Sequence, residues 1–238
     1  MGSASSLSNP GAGSRVPAFF KVQRIFLSIC MVLPFPLLIL NLVTAGNLNP
    51  ANGSIAIANV AQMSLPPLLD LAFVTTSTFL LLFGFLGMTS LAMSRSPWLA
   101  SIGGALSLIG TMTTTAFIVQ SDMTYDMAQI GNSPQFIVLW NRLNSDALMT
   151  AFLILFIAGF VGGPLLLGIA LGRARAIPLW AASAIVLSRL LLIIAFPAHL
   201  NSSIVDPVSY GLFLLGSIPA AFAMLKFKKE EKSAPSSL

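Results

Sequence analysis

The stretch that decides the fold is VLSRLLLII, Val186–Ile194, in which one cation, Arg189, stands inside an otherwise apolar run. No other charge in the chain lies so deep among Leu, Ile and Val. An Arg at the centre of a membrane helix costs roughly 2.5–3.5 kcal/mol on insertion scales. Each Leu, Ile or Val returns roughly 0.3–0.6 kcal/mol, so about eight of them outweigh it. The segment therefore inserts with its Arg, and the guanidinium needs a carboxylate, a backbone carbonyl or water as partner.

Composition points the same way. Of 238 residues, 56% are hydrophobic and only 8% charged, and the mean hydropathy is +0.89. A soluble domain carries about 25% charge. The apolar residues come in long blocks rather than the alternation of a barrel strand. The expected class is all-α: a polytopic membrane protein built as a six-transmembrane-helix bundle. The net charge of +5 does not imply nucleic acid, because the basic residues flank the apolar blocks. Cys30 is the only cysteine, so an intrachain disulfide and a cysteine metal cluster are excluded.

Six spans are expected, at about 25–45, 68–93, 97–120, 147–171, 178–198 and 208–225, within a transmembrane domain over 21–226. Residues 1–20, rich in Gly, Ser and Pro, read as a disordered cytoplasmic tail, and 227–238 as a second one. The opening MGSASS fits the myristoylation pattern at Gly2, although a chance match is the preferred reading. Pro34 and Pro36 should kink the first span. The segment IAIANVAQM fits a short interfacial piece. Pro97 should open the third span at its first helical position, with Trp98 at the membrane boundary. Residues 121–146 read as the largest loop. Within it SPQFIVLWNRL forms a short interfacial helix, with Ser133 as N-cap and Pro134 at the first position.

The basic residues set the orientation. Alternate loops place Arg15, Lys21, Arg24, Arg95, Arg173, Arg175, Lys226, Lys228, Lys229 and Lys232 on one side, and only Arg142 on the other. The positive-inside rule then puts both termini in the cytoplasm of a cell membrane. All five Asp residues fall at the outer face, as do the sequons at Asn52 and Asn201.

The candidate ligand pocket is a polar cluster in the outer half: Arg189, Asp70, Asp146, Thr111, Thr114, Thr115 and Ser77. Intramembrane ionisable groups are functional candidates. The competing expectation is a buried Arg189–Asp70 or Arg189–Asp146 pair that fixes helix register, with the hydroxyls bonded to their own i−4 carbonyls. Small residues mark helix-packing faces: Gly104 and Ser107 in span three, Gly159/Gly163 and Gly168/Gly172 in span four, and Gly216/Ala220 in span six. Catalysis is not expected. His199 is the only histidine, and no GxSxG, HExxH or P-loop pattern occurs. No metal and no cofactor are expected.

Two stretches, GPLLLGIALGRARAIPLWAA (Gly163–Ala182) and SPWLASIGGALSLIGT (Ser96–Thr111), resemble uncharacterised six-span bacterial integral membrane proteins. That resemblance implies six helices in a bacterial cell membrane and supplies no activity or site residue. PWLAS at Pro97–Ser101 also resembles PLWAAS at Pro178–Ser183, which reads either as a tandem hairpin repeat or as the common punctuation of two hairpin ends. Two functions follow. One is a non-enzymatic membrane protein that binds or transports a small or lipid-like ligand. The other is an accessory subunit that packs on a second copy or another membrane protein. The lipid bilayer is a partner in both.

Overall fold

The computed structural model describes residues 18–45, 53–60, 63, 66–131, 133–195, 198 and 202–226. Gly2, Asn52, Pro197, His199, Asn201 and both outermost tails lie outside them. The described residues are helical, without strands: α1 (Ala18–Val32), α2 (Pro34–Ala45), α3 (Gly53–Val60), α4 (Pro67–Met93), α5 (Pro97–Ile130), α6 (Pro134–Asn144), α7 (Ala147–Phe156), a π-helical stretch (Ile157–Gly162), α8 (Gly163–Arg173), α9 (Leu179–Ala195) and α10 (Ser202–Lys226).

Among the described residues, five helical segments are long and apolar enough to cross a membrane: Phe19–Thr44, Pro67–Met93, Pro97–Ile130, Ala147–Arg173 and Ile204–Lys226. The expected fifth span is the shorter α9, of 17 residues. Chain neighbours pack together: α1 and α2 on α4, α4 on α5, α5 on the π stretch and α8, α8 on α9, and α9 on α10. α10 returns to α1 and α2 and closes a ring. The pairing is antiparallel, since Gly172 meets Ala182 and Gly168 meets Ile185, while Gly216 meets Ile185 and Ala181. Lys21, Arg24, Arg95, Arg173, Arg175 and Lys226 gather at one end of the ring, the basic end, and Asp70, Asp122, Asp126, Asp146 and Asp206 at the other, the acidic end. The exterior exposes Phe79, Met112, Ile154, Leu187 and Phe222 along the spans. Such a surface is matched to hydrocarbon rather than water.

Several boundaries differ from the sequence reading. α1 starts at Ala18, ahead of the expected Ile25. The kink forms as expected, with the chain broken between Val32 and Pro34. Pro34 lacks the N–H that would reach the Cys30 carbonyl. Gly84 of α4 lies against that oxygen, where an added Cβ would come within 2.5 Å of it.

The largest correction concerns residues 121–130, read as loop. They continue α5, which reaches 34 residues and ends at Gly131, whose φ of 126° suits a glycine. At about 1.5 Å per residue α5 is roughly 50 Å long, beyond the roughly 30 Å hydrocarbon core. Its last turns are held by tertiary contacts. Thr124 Oγ1 accepts from Trp140 Nε1 at 3.2 Å, and Gln120 Nε2 donates to Asn144 at 2.9 Å. Trp140, Ala56, Ile57 and Met127 form a small core where α3 and α6 cover this end. α6 starts at Pro134 as expected, though the Ser133 side chain makes no capping bond. α10 begins at Ser202, so Asp206 and Pro207 lie inside it rather than before it.

Candidate functional site

Arg189 is fully buried. None of its three guanidinium nitrogens has a hydrogen-bond partner among the described residues. Its guanidinium carbon lies 4.4 Å from the centre of the Phe213 ring, 5.0 Å from Phe160 and 5.9 Å from Tyr210. Phe35 and Phe85 stand behind Phe213, at 4.6 and 6.3 Å between ring centres. The cation of α9 is thus housed in an aromatic box contributed by α10 and the π stretch.

The local sequence explains the placement. Ser188 Oγ folds back onto the Ile185 carbonyl at 2.7 Å, and Ser209 Oγ donates to the Ser188 carbonyl at 2.8 Å. These bonds fix α9 against α10 one residue before Arg189. Tyr210 and Phe213, three apart on α10, face the same side. Gly159 and Gly110 let the π stretch and α5 touch backbone to backbone, since a Cβ on either would collide with the other chain segment. Phe160 follows Gly159 directly, so this close approach brings its ring over the guanidinium.

Cation–π contacts contribute about 0.5–2 kcal/mol each. They act on the charge through the ring faces. The five N–H donors of a guanidinium lie in its plane and still require acceptors. A buried ion without such partners carries an effective penalty of several kcal/mol. The box therefore explains the siting of the charge but leaves its donors unmatched. The chemistry it offers is a forked N–H donor set toward a carboxylate or phosphate oxygen pair in a dry, apolar surround.

None of the other expected pocket residues hydrogen-bonds to this cation. Asp70 is buried in the first turn of α4, where its Oδ2 accepts from the Tyr125 hydroxyl and its Oδ1 from Asn41 Nδ2, both at 2.7 Å. Asp146 is exposed and caps α7, accepting from the Leu148 N–H at 2.8 Å. Neither pairs with Arg189. The hydroxyls bond to their own helices: Ser77 to Phe73, Thr111 to Ser107, Thr114 to Gly110 and Thr115 to Met112. Thr115 instead borders an apolar groove of about 440 Å³ between α5 and α7.

The small-residue faces are filled from within the chain. Gly159 and Gly163 lie against Gly110 and Ser107 of α5, and Gly168 and Gly172 against Ile185 and Ala182 of α9. Gly104 lies against Thr89 of α4, Gly216 against Ile185 and Ala181, and Ala220 is buried. Sequence reasoning missed Asn41 and Tyr125 as partners of Asp70, and Phe160, Tyr210 and Phe213 as partners of Arg189. Among the described residues there is no group of three or more His, Cys, Asp or Glu side chains placed to hold a metal.

The fold and site define an all-helical protein with the length and surface of a membrane-embedded bundle and a buried guanidinium in an aromatic box. Comparisons with family models, with curated proteins and with solved structures give no match to this chain.

Proposed function

We propose that this chain is a six-span cell-membrane protein that binds the anionic group of a small or lipid-like ligand at Arg189, as a receptor or carrier rather than an enzyme. The observation that carries this reading is a fully buried guanidinium whose three nitrogens have no acceptor. An anion removes that deficit, and the surrounding rings favour one with an apolar body.

Topology completes the proposal. α9 is about 25 Å long by rise per residue, short of a full crossing. Its antiparallel pairing with α8 and α10 supports a sixth crossing nonetheless, since the ring then alternates direction throughout. The concentration of Lys and Arg at one end supports a cytoplasmic basic end and an external acidic end. α6, with Val138 and Leu139 exposed, then lies at the outer interface. Kinship with six-span bacterial membrane proteins is part of the same proposal and rests on Ser96–Thr111 and Gly163–Ala182. The accessory-subunit reading was motivated by small-residue faces, and the chain's own helices occupy those faces.

The test uses the purified full chain. Thermal unfolding is followed while acetate is titrated at constant ionic strength. A saturable rise in Tm that is lost in Arg189→Gln and kept in Asp70→Asn supports the reading. A wild-type Tm that does not respond to acetate, or a response that Arg189→Gln retains, overturns it.

A further inference from the structure

The fourth span changes character halfway along. α8 buries Gly163, Pro164, Leu167, Gly168, Ala170 and Leu171. α7 buries none of its ten residues. The change falls on the π-helical stretch, which also carries Phe160. Such π turns interrupt regular helix bonding and recur at functional sites.

An apolar groove opens beside α7, with Met112, Ala116 and Val119 of α5 on one wall and Phe152 of α7 on the other. Phe152 stands one turn before Phe156 on the same face. Phe156 stacks on Phe160 at 5.0 Å, and Phe160 lies 5.0 Å from the guanidinium carbon. A line of rings thus connects the groove to the buried cation, over about 12 Å of helix rise. The charge at its inner end is single. The other described cations lie near the ends of the spans or on α6: Lys21, Arg24, Arg95, Arg142, Arg173, Arg175 and Lys226.

The geometry points to a single-chain alkyl carboxylate as the ligand, its carboxylate forked onto Arg189 and its chain running past Phe160 and Phe156 into the groove at Phe152. This rests on the anion-binding reading above and names its substrate class. One guanidinium balances one negative charge. Its planar fork matches a carboxylate in two parallel hydrogen bonds. The apolar walls match a hydrocarbon chain and exclude a hydrated polyanion. The groove faces sideways between two spans, so entry is from the lipid phase at the acidic-end leaflet.

The experiment is photolabelling of the full chain in zwitterionic nanodiscs, using dodecanoate with a diazirine at its tail end and mapping adducts by mass spectrometry. Adducts are expected at Met112, Ala116, Val119 or Phe152. They should fall about tenfold or more in Arg189→Gln, in line with the loss of a charge-assisted hydrogen-bond pair. Met112→Trp, at an exposed position that fills the groove, should remove the Phe152 adduct while keeping the acetate-dependent Tm shift. Adducts scattered over the exterior, or unchanged in Arg189→Gln, mean that the tail merely dissolves in lipid and overturn the proposal. If acetate still stabilises the protein while groove adducts are absent, the anion site stands and the alkyl ligand falls. If acetate and dodecanoate both fail, both readings fall.

Discussion

The Tyr125 hydroxyl donates to Asp70 at 2.7 Å across the α4–α5 interface, and Asn41 donates to the other carboxylate oxygen at the same distance. This triad ties α2, α4 and α5 together at the acidic end. Tyr125→Phe leaves a buried carboxylate oxygen without its donor, which costs about 1–3 kcal/mol. Chemical denaturation should read a loss of that size. A double-mutant cycle with Asp70→Asn should show coupling above about 0.5 kcal/mol. Additive effects would mean that the two groups do not interact in the folded protein.

Arg189 behaves oppositely if its role is to receive a ligand. Replacing an unpaired buried charge with an apolar side chain of similar length is neutral or stabilising by about 1–4 kcal/mol. Arg189→Met should therefore match or exceed the wild type in anion-free buffer. Ligand should raise the stability of the wild type alone, by about 2.7 kcal/mol at a hundred times Kd. A large loss of anion-free stability in Arg189→Met would show instead that the contacts with Phe160 and Phe213 hold the core together.

Two nearby glycines give contrasting expectations. A methyl at Gly159 meets the α5 backbone at Gly110, which cannot move aside as a side chain can. Gly159→Ala should destabilise by about 1–3 kcal/mol or more. Gly162 has open space around its Cβ position. Gly162→Ala should be neutral or gain about 0.5–1 kcal/mol from reduced backbone freedom. Thermal melts of the two variants side by side check the pairing; equal losses would contradict the packing of α5 on the π stretch.

The turn between α8 and α9 holds Arg175 at a φ of 52°, the only non-glycine residue with positive φ among those described. A side chain there costs roughly 1–2 kcal/mol. Arg175→Gly should raise the unfolding free energy by about 1 kcal/mol. A drop in stability would show that the guanidinium secures the turn.

The sequence made the helices legible because hydrocarbon demands long apolar blocks, and Arg, Pro and Trp mark their ends at Arg95–Trp98 and Arg173–Trp180. Partners were less legible. SDMTYDMAQI reads as loop because it is polar, yet Tyr125 is buried against Val60, Met63 and Leu71, and Met127 against α3 and α6. With Tyr125 read as loop, the one partner the sequence offers Asp70 is Arg189. The aromatic box was hidden because Phe160 and Phe213 look like ordinary core residues until the Gly110–Gly159 approach and the Ser209–Ser188 bond fix which faces meet. Local pattern gives the face of a helix; the neighbour on that face depends on ring order, which the pattern does not encode.

Ring order leads to the last prediction. With α9 crossing, the chain crosses six times and both ends share a compartment; without it, five crossings separate them. α9 is 17 residues long with Arg189 inside it, so insertion depends on its nine Leu, Ile and Val residues outweighing one cation. The antiparallel meetings of Gly168 with Ile185 and of Ser209 with Ser188 are what the proposed crossing rests on. In a Cys30→Ala background, single cysteines are introduced as Ser5→Cys and Ser236→Cys and exposed to a membrane-impermeant thiol reagent in intact cells. Both should stay unlabelled until the membrane is permeabilised, while Ser145→Cys, beside Asp146 at the acidic end, labels at once. Labelling of one terminus and not the other would remove the α9 crossing. The Arg189 box would go with it, because Phe213 and Phe160 reach the guanidinium only if α9 stands between their two spans.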